Sequence, residues 1–225
     1  MSHRTRSRHF SMQQIHLIDT LPQVFSDRTD LKSDVWHHDI TLERGQTYLI
    51  EAGSGTGKSS LCSFVYGYRN DYQGTILFDS ADVRTFSVSQ WTEIRRRHLS
   101  LLWQELRLFP ELTALENVQL KNRLTGFQKS SQIDQWFELL GIADRRDTLV
   151  ARMSFGQQQR VAMIRALCQP FDFIFIDEPI SHLDDHNADI MGQLLVAEAQ
   201  RQGAAIVTTS IGKHLNLNYT QVFKL

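Results

Sequence analysis

The segment QTYLIEAGSGTGKSSLCSFVYGY, residues 46–68, constrains the fold more than any other part of the chain. Gln46 to Gly53 is a short apolar, β-prone run ending in glycine, which reads as a buried strand. From Lys58 onward the apolar residues recur at helical spacing. Between the two, Ala52-Gly53-Ser54-Gly55-Thr56-Gly57-Lys58-Ser59 follows the pattern G-x-x-x-x-G-K-[ST], with alanine at the first position. Strand, glycine loop and helix in this order make an anion cradle, because the glycines let successive backbone N–H groups converge on a phosphate at the helix N-terminus. Lys58 would reach the β- and γ-phosphates of a nucleotide, Ser59 would ligate Mg²⁺, and Ser60 extends the same turn. Alanine at position 52 is a small lesion as long as its φ stays negative.

The remainder of the chain repeats the alternation of strand and helix. GTILFDS (74–80), LSLLWQE (99–105), FDFIFIDEP (171–179) and AAIVTTS (204–210) read as strands. Leu115 to Leu140 reads mainly as helix with a break at Gly126, GQQQRVAMIRALCQ is a long amphipathic helix, and Ala188 to Arg201 is a helix that stops at Gly203. This order predicts an α/β fold with a largely parallel sheet, interrupted by a mainly helical segment at about 105–152. One domain over 12–225 is expected, preceded by an arm, 1–11, that carries Arg4, Arg6 and Arg8 and no acid.

Composition narrows the function classes. Lys plus Arg number 24 and Asp plus Glu 25, so no global charge points to nucleic acid as a partner. The two cysteines, Cys62 and Cys168, lie in apolar helical contexts and read as reduced buried thiols. No run approaches the roughly 18 apolar residues of a membrane span, so a membrane role would require another chain.

Three further motifs carry chemistry. In FIFIDEP a buried strand delivers Asp177 to its carboxyl end, suited to holding Mg²⁺, with Glu178 as the base that orients and polarises an attacking water. MSFGQQQR, Met153 to Arg160, precedes that strand and resembles the signature of ABC-type ATPases. LLWQELRLFPELTALENV and SHLD then match, in order, the family's Q-loop, at Gln104, and D-loop, at Ser181 to Asp184. The resemblance covers the chain from about Gln14 onward. It implies a P-loop NTPase (RecA-like) core with an inserted helical subdomain, binding ATP and Mg²⁺.

By the same resemblance, Ser154, Gly156 and Gln157 present the signature to ATP held on a second ABC cassette. Gln104 meets the Mg²⁺ or the attacking water, Asp184 helps align the facing site, and Phe25 lies where an aromatic ring often stacks on adenine. The segment between Gln104 and Ser154 is too short for the coiled coils of chromosome-maintenance relatives, and the chain looks most like the lipoprotein-release and macrolide-exporter branch. There, two such subunits dock beneath an integral membrane permease on the cytoplasmic face of the membrane. Part of the apolar face of Phe109, Leu112, Leu115 and Val118 would receive that permease, and the rest would be core.

The pattern breaks at three positions. Ala52 replaces a loop glycine, Phe155 replaces the first signature glycine, and Thr209 in VTTSIGKH stands where the family has its switch histidine, with His214 five residues on. Loss of one preorganised donor to a transition state costs about 100- to 1000-fold in rate. The chain therefore reads as an ATPase of slow turnover. The alternatives are a nucleotide-gated regulatory subunit that barely hydrolyses ATP and a soluble ABC ATPase without a permease. His182 and His186 flank the D-loop acids and read as solvated or interface residues rather than metal ligands.

Overall fold

The computed structural model describes residues 11–28, 31–53, 55–178 and 183–225. The arm up to residue 10, Ser54 of the glycine loop, and Ser181 and His182 of the D-loop lie outside them.

In chain order the elements are β1 (Gln14–Pro22), β2 (Ile40–Glu43), β3 (Thr47–Glu51), α1 (Lys58–Val65), β4 (Tyr72–Phe78), β5 (Ala81–Asp82), α2 (Val88–Arg97) and β6 (Leu99–Leu102). Then come α3 (Ala114–Asn122), α4 (Ser130–Leu139), α5 (Phe155–Leu167), β7 (Phe173–Asp177), α6 (Asp185–Gln202), β8 (Ala205–Ser210) and β9 (Gln221–Lys224). Five strands form a parallel sheet in the order β6-β7-β8-β3-β9, and four form a second sheet, β2-β1-β4-β5, in which every pairing is antiparallel.

The second sheet qualifies the expectation of one largely parallel sheet. The run 74–80 is a strand as read, but it pairs antiparallel with β1 and not with the phosphate-loop strand. A two-residue alternation identifies a half-buried strand and is silent about its neighbour. The β1–β4 pairing also carries an irregularity between Ile18 and Leu21. Asp19 there has φ 47°, and Gly74, at φ 80°, lies so close that a Cβ would sit 2.1 Å from the Asp19 carbonyl. Only glycine fits that approach.

Two apolar cores lie on the two faces of the parallel sheet, and β7 shows why. Its five residues are all buried, with Phe173 and Phe175 entering one core while Ile174 and Ile176 enter the other. Side chains alternate across a strand, so a strand covered on both faces reads as a continuous apolar run. The first core joins α1 and the antiparallel sheet, and the second joins α3, α4, α5 and α6.

Local sequence sets the helix starts. Ser87 with Gln90, Thr113 with Glu116, and Ser154 with Gln157 each form a capping box at the head of α2, α3 and α5. Each cap contributes about 1 kcal/mol, so Thr113→Ala would fray α3 first. The helix expected from Ala188 begins earlier, at Asp185, because Asp184 accepts from the Asn187 N–H at 2.8 Å and caps it. Gly126, at φ 61°, lies in the break between α3 and α4.

Candidate nucleotide site

The carboxyl ends of β3, β6, β7 and β8 lead into one cluster of polar side chains, the place where parallel α/β sheets expose ligand sites. β3 delivers the loop from Ala52, whose N–H donates to the Ser210 carbonyl at the end of β8 (3.0 Å). Ala52 is not among the described residues with positive φ, so the missing glycine leaves no backbone strain there. Gly55 and Gly57 do adopt left-handed φ, 77° and 101°. Gly57 has a second reason to be glycine: a Cβ would meet Trp36 at 3.0 Å and Phe25 at 3.1 Å. Trp36 fixes the loop further by donating its indole N–H to the Thr56 carbonyl (2.9 Å).

α1 has no side-chain cap, which leaves its first amide donors for a ligand. Thr56 Oγ1 and Lys58 Nζ both donate to the Gly53 carbonyl, at 2.9 and 3.4 Å, so the loop is closed over its own backbone. Lys58, 7% exposed, also forms an ion pair with Glu178 Oε1 at 3.0 Å. Gln104 Nε2 donates to the other Glu178 oxygen at 3.2 Å. Glu178 itself has φ 49°, an unfavourable region for a side-chain-bearing residue, and its N–H donates to the Thr209 carbonyl (3.2 Å).

Beside it, Asp177 is 1% exposed and accepts from two hydroxyls, Ser59 Oγ on Oδ2 (3.1 Å) and Thr209 Oγ1 on Oδ1 (2.6 Å). Burial pushes the Asp177 carboxyl above the usual carboxylate range, and the two hydroxyl bonds oppose that shift. A buried carboxylate held only by neutral donors, with a serine hydroxyl against it at the mouth of an amide-lined loop, is a donor set that suits a hard cation such as Mg²⁺. The loop amides and Lys58 suit the phosphates that such an ion would accompany.

The structure thus brings together Ala52, Gly53, Gly55, Thr56, Gly57, Lys58, Ser59, Gln104, Asp177 and Glu178. Ser60 is adjacent, its hydroxyl accepting from Arg69 at 3.1 Å. Phe25 reaches the loop but as its floor, 8% exposed and with Arg28 over its ring at 5.5 Å, so most of the ring that would stack on adenine is already packed.

The signature residues stand apart. Ser154 and Gln157 bond each other across the α5 cap, and the Gly156 carbonyl accepts from Arg160 (3.1 Å). Among the described residues none of the three bonds the glycine loop, Asp177 or Glu178. Phe155, in the replaced glycine position, is 41% exposed.

Thr209, at the position where the resemblance puts the switch histidine, does not turn its hydroxyl towards the glycine loop. It is 0% exposed and its proton is given to Asp177. His214 does not replace it either, because its ring lies edge-on to Tyr219 with Nδ1 3.0 Å from the Leu215 carbonyl.

Two contributions were not read from sequence. Trp36 gave no motif, and its role appears only where the fold lays it under the loop. Arg165 donates to the carbonyls of Leu106 and Arg107, which follow Gln104 with φ 58° and 48° and so need an external clamp. Only the location of Arg165 on a helix near the predicted Gln104 loop could have hinted at it.

Residues 36–181 match the family model described as ABC transporter. The chain is 33% identical over 174 residues to the lipoprotein-releasing system ATP-binding protein LolD 2 of Rhodopseudomonas palustris, covering 76% of this chain and 75% of that one. It is 34% identical over 171 residues, 75% of its length, to the macrolide export ATP-binding/permease protein MacB of a Shewanella strain, of which it spans only 26%. The dimeric structure of the bacterial ABC transporter cassette MJ0796 superposes with TM-score 0.74 at 24% identity, covering 87% of each chain.

Proposed function

The chain belongs to the ABC transporter family and is an ATPase of that family, and from this premise we propose that it drives a separate membrane permease through ATP-dependent pairing with a second cassette. The observation that carries the proposal is the convergence of Lys58, Ser59, Asp177, Glu178 and Gln104 into one bonded cluster at the sheet's carboxyl edge. In this reading the loop amides and Lys58 hold the β- and γ-phosphates of ATP, while Ser59 and Asp177 hold Mg²⁺. The ion would supply charge neutralisation on the phosphates. Glu178 would accept the proton of the attacking water, with Gln104 orienting it.

The Lys58–Glu178 pair has a consequence for the first step. An incoming γ-phosphate must take Lys58 from the carboxylate, and that exchange frees Glu178 for the water. One anion replaces another at a cation that is buried either way, so desolvation of Lys58 adds little to the cost.

A second cassette is part of the proposal because Ser154 and Gly156 lie at a helix N-terminus remote in bonding from the chain's own loop. No helix of the described residues is long and apolar enough to cross a membrane, and in this reading a permease carries the membrane spans. Its docking surface in this reading includes Phe109, 53% exposed, and the groove of about 220 Å³ lined by Leu112, Leu115 and Leu120 beside it. Val118, fully buried, belongs to the core. The working place is then the cytoplasmic face of a membrane. The relatives' names supply lipoprotein release and macrolide export as the candidate tasks.

The orientation of Thr209 favours slow turnover, since no side chain from that position points a donor into the loop. The same observation favours the second reading, a nucleotide-gated subunit with little hydrolysis. Steady-state Mg-ATP hydrolysis by the wild type beside Glu178→Gln and Lys58→Ala separates them. A rate above both variants supports the ATPase motor. A rate equal to both, with ATP still bound and with the permease present, supports the gated subunit.

A further inference from the structure

Resting on the Mg-ATP reading above, we propose that Thr209 is a positioning residue for the metal side of the site: its buried hydroxyl fixes the Asp177 carboxylate so that the other oxygen faces Ser59. The strands bring the two side chains within reach of each other. β7 and β8 pair in parallel with Asp177 directly opposite Thr209, and β3 on the far side places Ile50 opposite the same threonine. Thr209 is therefore enclosed by sheet on both sides and is 0% exposed. Its Oγ1 lies 2.6 Å from Asp177 Oδ1, while Oδ2 accepts from Ser59 at 3.1 Å.

The two donors differ in what they can do next. Ser59 is exposed at the mouth of the loop and its oxygen retains lone pairs for a cation even while its proton stays on Asp177. Thr209 has no such access and serves only the carboxylate. Asp177 forms no ion pair among the described residues, so the orientation of its two oxygens depends on these hydroxyls. Outer-shell partners of this kind set ligand orientation, and removing one typically lowers metal affinity by about 10- to 100-fold. The position where the family resemblance puts a phosphate-contacting switch is, in this chain, turned inward to the metal ligand.

The test uses the full chain and a fluorescent ATP analogue, titrated with Mg²⁺ at fixed nucleotide and, separately, with nucleotide in excess EDTA. Thr209→Val should raise the half-saturating Mg²⁺ concentration by about 10- to 100-fold. It should leave the metal-free nucleotide affinity unchanged, and Thr209→Ser should restore the wild-type value. Thr209→Ala, which also lacks the donor, replaces the valine variant if that one does not fold. A Val or Ala curve that overlays the wild type overturns the proposal. Equal shifts in the Ser and Val variants overturn it too, since the hydroxyl would then not be the cause. Loss of metal-free binding in the Val variant would assign Thr209 to the fold instead. If the wild type itself binds the analogue without any dependence on Mg²⁺, the Mg-ATP reading fails first and this inference with it.

Discussion

Strand β7 is bracketed by two buried aspartates that are held in opposite ways. Asp172, just before the strand and 6% exposed, accepts from the Met12 N–H at 2.8 Å, contacts His98 Nδ1 at 2.6 Å, and has Arg44 Nε at 3.2 Å. Asp177, the last residue of the strand and 1% exposed, has only the hydroxyls of Ser59 and Thr209. The first carboxylate is tied by a permanent cation from the β2–β3 turn, by the end of α2 and by the start of β1, so it joins the two sheets. The second is satisfied in hydrogen bonds but has no ion pair of its own among the described residues, the nearby Lys58 being paired with Glu178. A buried charge without a counter-charge is unfavourable, and a fold retains one where something else supplies the opposite sign.

If that contrast holds, neutralising each carboxylate should break a different property. Asp177→Asn should lower Mg-ATP hydrolysis by on the order of 1000-fold, because the ion contributes several kcal/mol of charge stabilisation in the transition state. The thermal midpoint of the ligand-free protein should stay the same or rise, since an uncompensated buried charge has gone. A variant that loses both activity and several degrees of stability would show that Asp177 is a structural tie like Asp172.

The mirror experiment is smaller. Asp172→Asn leaves Arg44 and His98 without their acceptor charge. Breaking a fully buried pair costs about 3–5 kcal/mol. Arg44 is 27% exposed, so solvent screening reduces the expected loss to about 2 kcal/mol, read as a shift of the urea midpoint. Hydrolysis per folded molecule should not change. A fall in turnover at saturating ATP would mean that the tie between the sheets also sets the geometry at the far end of the strand.

The two ends of β7 were not equally legible in the sequence. Asp177 and Glu178 close an apolar run downstream of a glycine loop, so both residue type and spacing announce them. Asp172 sits inside the polar start of FDFIFIDEP and its partners come from Met12, Arg44 and His98, residues brought together only by the fold. The same distinction runs through the rest of the chain. The glycine loop, four strands of the parallel sheet (β3, β6, β7 and β8) and the helices α1, α5 and α6 are local signals, and the α/β class followed from them, whereas β9 and α2 gave no such signal. The antiparallel sheet was missed because β1 and β2 pair across sequence without a motif. The direction of Thr209 was missed because a threonine in a buried strand carries no mark of which neighbour its hydroxyl will find.

A half-buried cation extends the comparison to the opposite sign. Lys121 on α3 is brought down to about 8 by burial, with the nearby Arg165 acting in the same direction. No carboxylate pairs with it among the described residues. Between about pH 8 and pH 10.5 the unfolded chain holds a proton that the folded chain has released, so stability should rise with pH across that window. Below about pH 8 both states are charged and the full cost of burial remains. Tyr66, pushed up to about 12 by burial, works against this trend once the unfolded tyrosine begins to ionise near pH 10. Melts between about pH 8 and pH 9.5 therefore isolate Lys121, and they should show a modest upward drift of the midpoint that Lys121→Met removes while raising the midpoint at neutral pH. A drift that survives the substitution would mean that the Lys121 ammonium is solvated in solution, leaving Asp177 as the sole buried charge in this comparison whose compensation must come from a ligand.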